Sequence, residues 1–140
     1  MLRNVLIVDD DLGTRELLTA VLSGEGFHVV VAEDGLEGLH MLRIVRHRAP
    51  DVPCLVLLDL AMPRLGGFAF RRAQLADPRV ANVPVVVISG AVDLEKRALS
   101  MGAVAVVPKP INFEVLTDVV QRYCSLAGLL RVPADGLTNG

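Results

Sequence analysis

The sequence predicts an open α/β sandwich in which five parallel strands alternate with five helices in a single domain. Five short apolar runs rich in β-branched residues recur at even intervals along the 140 residues, with segments of helical periodicity between them. Four of the runs show little alternation of polar and apolar residues, which is typical of strands covered on both faces. The composition agrees, since 52% of the residues are hydrophobic but only 4% are aromatic.

The predicted elements follow the chain in order. The strands are residues 5–8, 28–31, 54–58, 84–88 and 104–107. Apolar stripes at helical spacing predict the first, second and fifth helices, and they consist of Leu17, Leu18, Val21 and Leu22, then Leu36, Leu39, Leu42 and Val45, then Phe113, Leu116, Val120 and Tyr123. Segments 67–76 and 93–101 predict the third and fourth helices. Gly and Pro residues end the helical segments, and we expect a domain over residues 1–127 and a flexible tail over 128–140.

The overall charge does not favour nucleic acid or membrane as a partner. With 14 basic and 16 acidic side chains the net charge is −2, which supplies no field for attracting nucleic acid or an anionic membrane. The chain shows no secretion signal and no apolar run near the ~18 residues of a membrane span, so we expect a cytoplasmic protein.

Cys54 and Cys124 are too few for a disulfide scaffold and are interpreted as small buried or half-buried side chains in a reducing compartment. The arginines of 43–48 and 64–72 could dock an acidic partner or form solvated helix faces, and we favour the second interpretation.

Polar side chains follow four of the five predicted strands. Asp9 and Asp10 follow the first strand, Asp59 the third, Ser89 the fourth and Lys109 the fifth. Any one of them alone could be an ordinary cap or loop residue, as we interpret the neighbouring Asp11 at the start of the first helix. Because the carboxyl ends of parallel strands share one edge of the sheet, their joint placement predicts a functional site there.

Electrostatics indicates what such a site would do. Three carboxylates and one ammonium leave a local charge near −2, which favours a hard divalent cation, and Mg²⁺ suits a site with few carboxylates. With the cation bound, the site could accept a phosphoryl dianion. Asp59 would then be the nucleophile, while Lys109 and Ser89 stabilise the phosphoryl oxygens.

Four motifs now carry a resemblance to a known family. They are Val8-Asp9-Asp10, the stretch from Leu57 to Gly67 that reads LLDLAMPRLGG, Ile88-Ser89-Gly90 and Pro108-Lys109-Pro110. In this order, each after a predicted strand, they resemble the receiver domains of two-component response regulators, the CheY-like family. The resemblance extends to about Leu126. It implies a doubly wound, flavodoxin-like sandwich with five parallel strands in the order 2-1-3-4-5.

The resemblance also implies roles for individual residues. Asp10 would ligate Mg²⁺, or Mn²⁺ in its place, directly. Asp9 would contribute through water or charge, Asp59 would both bind the metal and accept the phosphoryl group, and the backbone carbonyl of Ala61 would be a further metal ligand. Lys109-Pro110 would be a cis peptide bond. We expect Lys109 and Ser89 to assist phosphoryl transfer, with self-catalysed transfer and autodephosphorylation as the only catalysis.

The implied partners are proteins. A sensor histidine kinase or a phosphotransfer protein would supply the phosphoryl group from a phosphohistidine, and a downstream target protein would read the result. In the family, the face formed by the fourth helix, fifth strand and fifth helix often carries target or dimer contacts, and here it includes Lys96, Val106 and Tyr123.

Two departures from the family pattern and two alternatives remain. Val106 stands where many receivers have an aromatic switch residue, so we expect activation to run through the Ser89-Gly90 loop and the fourth helix. Ala61 and Ala91 cannot orient an attacking water, which predicts slow hydrolysis of the acyl phosphate.

One alternative is a receiver-like interaction module that works without phosphorylation. The other is a hydrolase with Asp59 as nucleophile, which is disfavoured because Ala61 supplies no second acid.

Overall fold

A computed structural model describes residues 3–49, 53–62, 64–90 and 92–136, in which strands and helices alternate. The strands are β1 (Arg3–Val8), β2 (Phe27–Ala32), β3 (Leu55–Asp59), β4 (Val85–Ser89) and β5 (Ala105–Pro108). The helices are α1 (Leu12–Gly24), α2 (Gly35–Arg48), α3 (Gly67–Leu75), α4 (Val92–Ser100) and α5 (Phe113–Gly136). Each strand lies within two residues of its predicted bounds, so the apolar runs were interpreted correctly.

The sheet has its strands in the order β2-β1-β3-β4-β5, and every neighbouring pair is parallel. This confirms the predicted fold class. The chain runs outward from β1 to β2 and then crosses back to β3, so the direction of winding reverses between β1 and β3. In the pairing of these two strands Val8 faces Leu58, which brings the next residues, Asp9 and Asp59, to the same edge. Ligands of open α/β sheets bind at such a switch point.

Helices cover both faces of the sheet. On one face, alternate strand residues such as Val5 and Leu57 pack with α1 and α5; on the other, Leu6 and Leu58 pack with α2, α3 and α4. Ten of the twelve residues of the predicted apolar stripes are buried or half-buried here, but Leu17 is 51% exposed and Leu36 is 56% exposed. None of the described helices combines the length and the apolar composition of a membrane-spanning segment.

The two cysteines are joined by a disulfide, which the interpretation of Cys54 and Cys124 as small hydrophobic side chains in a reducing compartment did not anticipate. A disulfide links them across 70 positions of sequence, with a Cα–Cα distance of 5.1 Å. Both side chains are buried, as predicted, in the core between the sheet and α5. The cause is topological, since the sheet places the start of β3 beneath the middle of α5.

Arginines that were interpreted as solvated include structural ones. Arg71, on α3, is only 9% exposed, and its guanidinium donates hydrogen bonds to the carbonyls of Met101 and Gly102 just after α4 and to Oε1 of Gln74. Gln74 in turn donates to two carbonyls of the segment that leads into β4. This network connects α3 with the end of α4, and for Arg71 the solvated-face interpretation is therefore wrong.

The backbone of α5 is helical as far as Gly136, past the predicted domain end at residue 127. Residues 137–140 lie outside the described part of the chain. Flexibility of the predicted tail over 128–140 stays a prediction.

Candidate functional site

Three carboxylates meet at the carboxyl edge of the sheet. Asp9 and Asp10 follow β1 and Asp59 ends β3, and one oxygen of each lies within 4.8 Å of one oxygen of the others. Asp9 and Asp59 are buried, whereas Asp10 is exposed. The parallel β1–β3 pairing thus produces the acidic cluster predicted from the sequence.

The backbone of Asp9 is fixed on both sides. Its N–H donates to the carbonyl of Ala32 at the end of β2, and its own carbonyl accepts a hydrogen bond from the Arg15 side chain. Asp11, two residues after Asp9, accepts hydrogen bonds from the N–H and the hydroxyl of Thr14. This confirms its predicted role as the N-cap of α1. Consequently Asp9 and Asp10 are left at the edge while Asp11 belongs to the helix.

One oxygen of Asp9 has no partner among the described residues. Oδ1 accepts the N–H of Asp11 at 2.9 Å, but Oδ2 is buried without a hydrogen bond. Burial raises the pKa of the Asp9 carboxyl, against the lowering effects of the Asp11 N–H and the charge of Lys109. A buried carboxylate oxygen with no donor is costly, so this atom requires a proton or a cation.

Asp59 is the most perturbed acid of the cluster. Burial raises the pKa of its carboxyl to about 6, the neighbouring charge of Asp9 adds to the rise, and Lys109 opposes it. Its Oδ1 accepts the N–H of Ala61 at 3.3 Å and lies 3.7 Å from Nζ of Lys109. The ammonium is therefore close enough to attract the carboxylate but beyond hydrogen-bond distance, and a small ligand bound between the two groups could contact both.

The strand ends on the other side of Asp59 supply the remaining predicted residues. Ser89 ends β4 and is buried, and its carbonyl accepts the N–H of Lys109 at 2.9 Å, which connects the ends of β4 and β5. The Lys109–Pro110 peptide bond is cis, as expected. Ala61 lies two residues beyond Asp59 and is exposed. The assignment of its carbonyl as a metal ligand, and of Ser89 as a donor to the phosphoryl group, stays a prediction.

The cluster fits a divalent metal ion. Its donors are hard carboxylate oxygens, one buried oxygen is unpartnered, and burial raises the pKa values of two of the acids, Asp9 and Asp59. Oxygen ligands of this kind, few in number and partly open to solvent, suit Mg²⁺, which keeps several waters. Asp9, Asp10 and Asp59 would hold the ion.

A second set of residues, which sequence reasoning missed, fixes the loop after β3. We call residues 60–66 the acceptor loop. Arg64 adopts a left-handed backbone conformation with φ 57°, and its Nε donates to Oδ2 of Asp34 at 2.6 Å. Asp34 is also the N-cap of α2, and the N–H of Gly35 donates to the carbonyl of Leu65. Two contacts thus attach the acceptor loop to the start of α2.

Only half of this attachment could be found in the sequence. Asp34 followed by Gly35 before an apolar stripe is an ordinary signal for the start of a helix. Nothing in the sequence around Arg64 indicates that its partner lies 30 positions earlier, and this arginine was interpreted as part of a solvated face. The ion pair between Arg64 and Asp34 could therefore be found only in the folded structure.

The perturbed pKa of Asp59 predicts that replacing Asp59 by asparagine stabilises the metal-free protein near neutral pH. Between about pH 4 and pH 6 the native state holds a proton that the unfolded chain has released, so this group makes stability fall as pH rises through that window. Above it the buried charge is fully present, and we expect Asp59→Asn to raise the free energy of unfolding by roughly 2 kcal/mol.

Urea unfolding of both proteins at about pH 7.5 and about pH 5 measures this difference. We expect the advantage of Asp59→Asn to shrink at the lower pH, and also on addition of Mg²⁺ at the higher pH. Asp118→Asn, which alters an exposed acid on α5, is the matched control and should change little. An advantage that is the same at both pH values would contradict the raised pKa.

Comparison with known proteins gives the same family. Residues 5–121 match the response regulator receiver domain family. The chain is 32% identical over 127 residues to sporulation initiation phosphotransferase F of Bacillus subtilis, covering 90% of this chain and 97% of that protein. It is 38% identical over 114 residues to the DNA-binding response regulator MtrA of Mycobacterium tuberculosis, covering 80% of this chain and 46% of MtrA, so it spans about half the length of that relative.

Solved structures agree with the sequence comparisons. The chemotaxis response regulator CheY4 of Vibrio cholerae superposes with a TM-score of 0.78 at 26% identity, over 88% of this chain and 99% of that one. The sheet order, the acidic cluster and the lysine after β5 are thus accompanied by similarity over most of the chain. The chain belongs to the response regulator receiver domain family of two-component systems.

Proposed function

We propose that this receiver domain accepts a phosphoryl group on Asp59 from a phosphohistidine, in a reaction that depends on Mg²⁺, and signals through altered contacts with other proteins. The observation that carries the proposal is that one carboxylate, Asp59, lies close both to two further acids and to the ammonium of Lys109. Such a site offers a nucleophile, a place for a cation and a fixed positive charge close together.

The chemistry is a displacement at phosphorus. A carboxylate oxygen of Asp59 attacks, the bond between the histidine nitrogen and phosphorus breaks, and the electron pair leaves with the imidazole, so that an acyl phosphate forms. A bound Mg²⁺ supplies positive charge that neutralises the acids and the incoming phosphoryl oxygens. Lys109 would stabilise charge that develops on the phosphoryl oxygens, and Ser89 would donate a hydrogen bond to them.

The N–H of Ala61 has a positioning role in this proposal. It donates to Oδ1 of Asp59, which leaves Oδ2 as the oxygen without this hydrogen bond. The acceptor loop that carries Ala61 is held by the contacts of Arg64 and Leu65 with the start of α2. The carboxylate is thereby oriented before the donor arrives, which reduces the entropic cost of reaching the reactive geometry.

The surface next to the site suits a protein donor. A groove beside Lys109 is lined by Pro110, Phe113 and the exposed Leu17 of α1. An apolar groove that adjoins the acidic cluster can bind a helix of a sensor kinase or phosphotransfer protein while the phosphohistidine on that helix reaches Asp59. The name of the Bacillus subtilis relative, a phosphotransferase, supports a donor of this class.

The remaining parts of the proposal concern the output. A downstream target, or a second copy of the domain, would bind the face formed by α4, β5 and α5, where Leu99 and Val104 are exposed. Val106 is half-buried against the core on the α2–α4 side, so we assign the switch to the Ser89-Gly90 loop and α4.

We place the protein in the cytoplasm, with no turnover of a metabolite. Slow hydrolysis of the acyl phosphate stays a prediction, and Ala91 lies outside the described residues.

Intact mass spectrometry after incubation with a small phosphodonor and Mg²⁺ tests the proposal. We expect wild type to gain the mass of one phosphoryl group and Asp59→Asn to gain none, because the amide is not a nucleophile here. Asp118→Asn, which alters an exposed acid on α5 that is not part of the acidic cluster, should react like wild type. No incorporation in wild type, or equal incorporation in Asp59→Asn, would instead favour an interaction module that works without phosphorylation at this residue.

A further inference from the structure

The disulfide between Cys54 and Cys124 lies at the end of the sheet opposite the acidic cluster. Cys54 immediately precedes β3, whereas Asp59 ends the same strand, so the full length of the strand separates the two sites. At about 3.3 Å per residue the separation is roughly 16 Å. Chemistry at the sulfurs can therefore proceed without contact with the carboxylates.

The fold at this end does not depend on the disulfide alone. The N–H of Cys54 donates to the carbonyl of Asn4 in β1, and Leu116 and Val120 of α5 are fully buried on the sheet. Tyr123 adds a hydrogen bond from its hydroxyl to the carbonyl of Val104. The domain has an aliphatic core on both faces of its sheet, so we expect the protein to stay folded when the S–S bond is broken, unlike a small disulfide scaffold.

Both sulfurs belong to residues close to the surface of this core. Cys54 is 6% exposed and Cys124 is 4% exposed, while their neighbours in the core, Leu55 and Val120, have no exposed surface. The sequence holds these two cysteines and no others, so a single pairing is available and the redox reaction has two states.

We propose that Cys54 and Cys124 form a reversible dithiol–disulfide site that exchanges with a low-molecular-weight thiol and its disulfide, and that its state sets how firmly the middle of α5, around Cys124, is held on the sheet. In the oxidising direction, the thiolate of one cysteine attacks the external disulfide and releases one thiol. The second cysteine then attacks the mixed disulfide and releases the other. Two electrons pass to the external disulfide, and the two protons lost by the cysteines end on the two released thiols.

The consequence for α5 follows from the position of Cys124. It lies in the middle of α5 and is buried on the sheet. In the oxidised state a covalent bond holds this turn of α5 to β3, whereas in the reduced state only apolar packing holds it. Because α5 contributes to the face proposed for target binding, redox state would change that face without changing the phosphoryl acceptor.

Equilibration of the purified protein in glutathione buffers of graded ratio tests the proposal. After an acid quench and alkylation of free thiols, intact mass should show two populations, with two alkylated thiols or none, whose ratio follows the buffer and is the same from either starting state. Hydrogen exchange of backbone amides over residues 117–128 should be roughly tenfold slower in the oxidised protein. Cys54→Ser and Cys124→Ser, which each keep one cysteine, should form no intramolecular disulfide and should show only the free thiol or its mixed disulfide with glutathione.

Three results would overturn the proposal. Free thiols in the most oxidising buffer would show that the bond does not form, and a disulfide that is reduced only in urea would show that it does not exchange in the folded protein. Equal hydrogen exchange in the two states would exclude the effect on α5. Phosphoryl incorporation at Asp59 is measured separately in both states and we expect it to be equal, so failure of either proposal is recognised independently of the other.

Discussion

Replacing Gly35 with alanine is expected to lower the free energy of unfolding by roughly 2 to 3 kcal/mol, because the added methyl group has no space. A Cβ on Gly35 would lie 2.0 Å from the carbonyl oxygen of Leu65 and 2.9 Å from its carbonyl carbon. Both are backbone atoms, so relief requires movement of the acceptor loop or of the start of α2. The same movement would break the hydrogen bond from the Gly35 N–H to Leu65.

The substitution also has an expected functional effect. Movement of Leu65 would separate Arg64 from Asp34 and release the acceptor loop, whose Ala61 N–H orients Asp59. We therefore expect weaker Mg²⁺ binding and slower phosphoryl incorporation in the fraction of Gly35→Ala that folds.

Urea unfolding and Mg²⁺ titration of Gly35→Ala measure the two effects separately. The matched control is Gly24→Ala, at the end of α1, where an added Cβ would meet nothing within 4 Å and the backbone is not left-handed. That variant should be as stable as wild type or slightly more stable, since alanine reduces the entropy of the unfolded chain. Equal stability of the two variants would show that the loop and α2 are not in the tight contact described.

The fold and the centre of the site could be predicted because each depends on local patterns. A strand covered on both faces must be apolar along its length, and this alone located β1, β3 and β4 to within two residues. Parallel strands share one carboxyl edge, which placed Asp9, Asp59 and Lys109 together before any distance was known.

Features that depend on the separation of distant segments could not be predicted. The partner of Arg64 lies 30 positions earlier and those of Arg71 lie 30 and 31 positions later, so a local reading treated both as solvated. The exposed Leu17 was placed in a buried stripe for a related reason. Periodicity indicates which residues share a helix face, but the packing of α1 on the sheet decides how wide a stripe is covered.

The disulfide is the clearest case of a feature that depends on distant segments. Its reduction is also expected to change the free energy of unfolding. Burial of Cys54 and Cys124 followed from their apolar surroundings, but their pairing depends on how α5 crosses β3. A link between residues 70 positions apart closes a long loop in the unfolded chain. In the chain-entropy treatment such a loop stabilises the folded state by about 4 kcal/mol.

Reduction of the disulfide is therefore expected to lower the free energy of unfolding by about 4 kcal/mol while the protein stays folded, since domains of this size usually have 5 to 15 kcal/mol. Urea unfolding of the wild type with and without a phosphine reductant measures the change. The double variant Cys54→Ser with Cys124→Ser is the control, because its unfolding should be indifferent to reductant. A wild type that unfolds at the same urea concentration in both conditions would contradict the expectation. The 70-residue loop that the disulfide closes constrains the unfolded chain, whereas the proposed effect on α5 acts in the folded state. A fall in stability and faster hydrogen exchange in α5 are therefore separate consequences of breaking one bond.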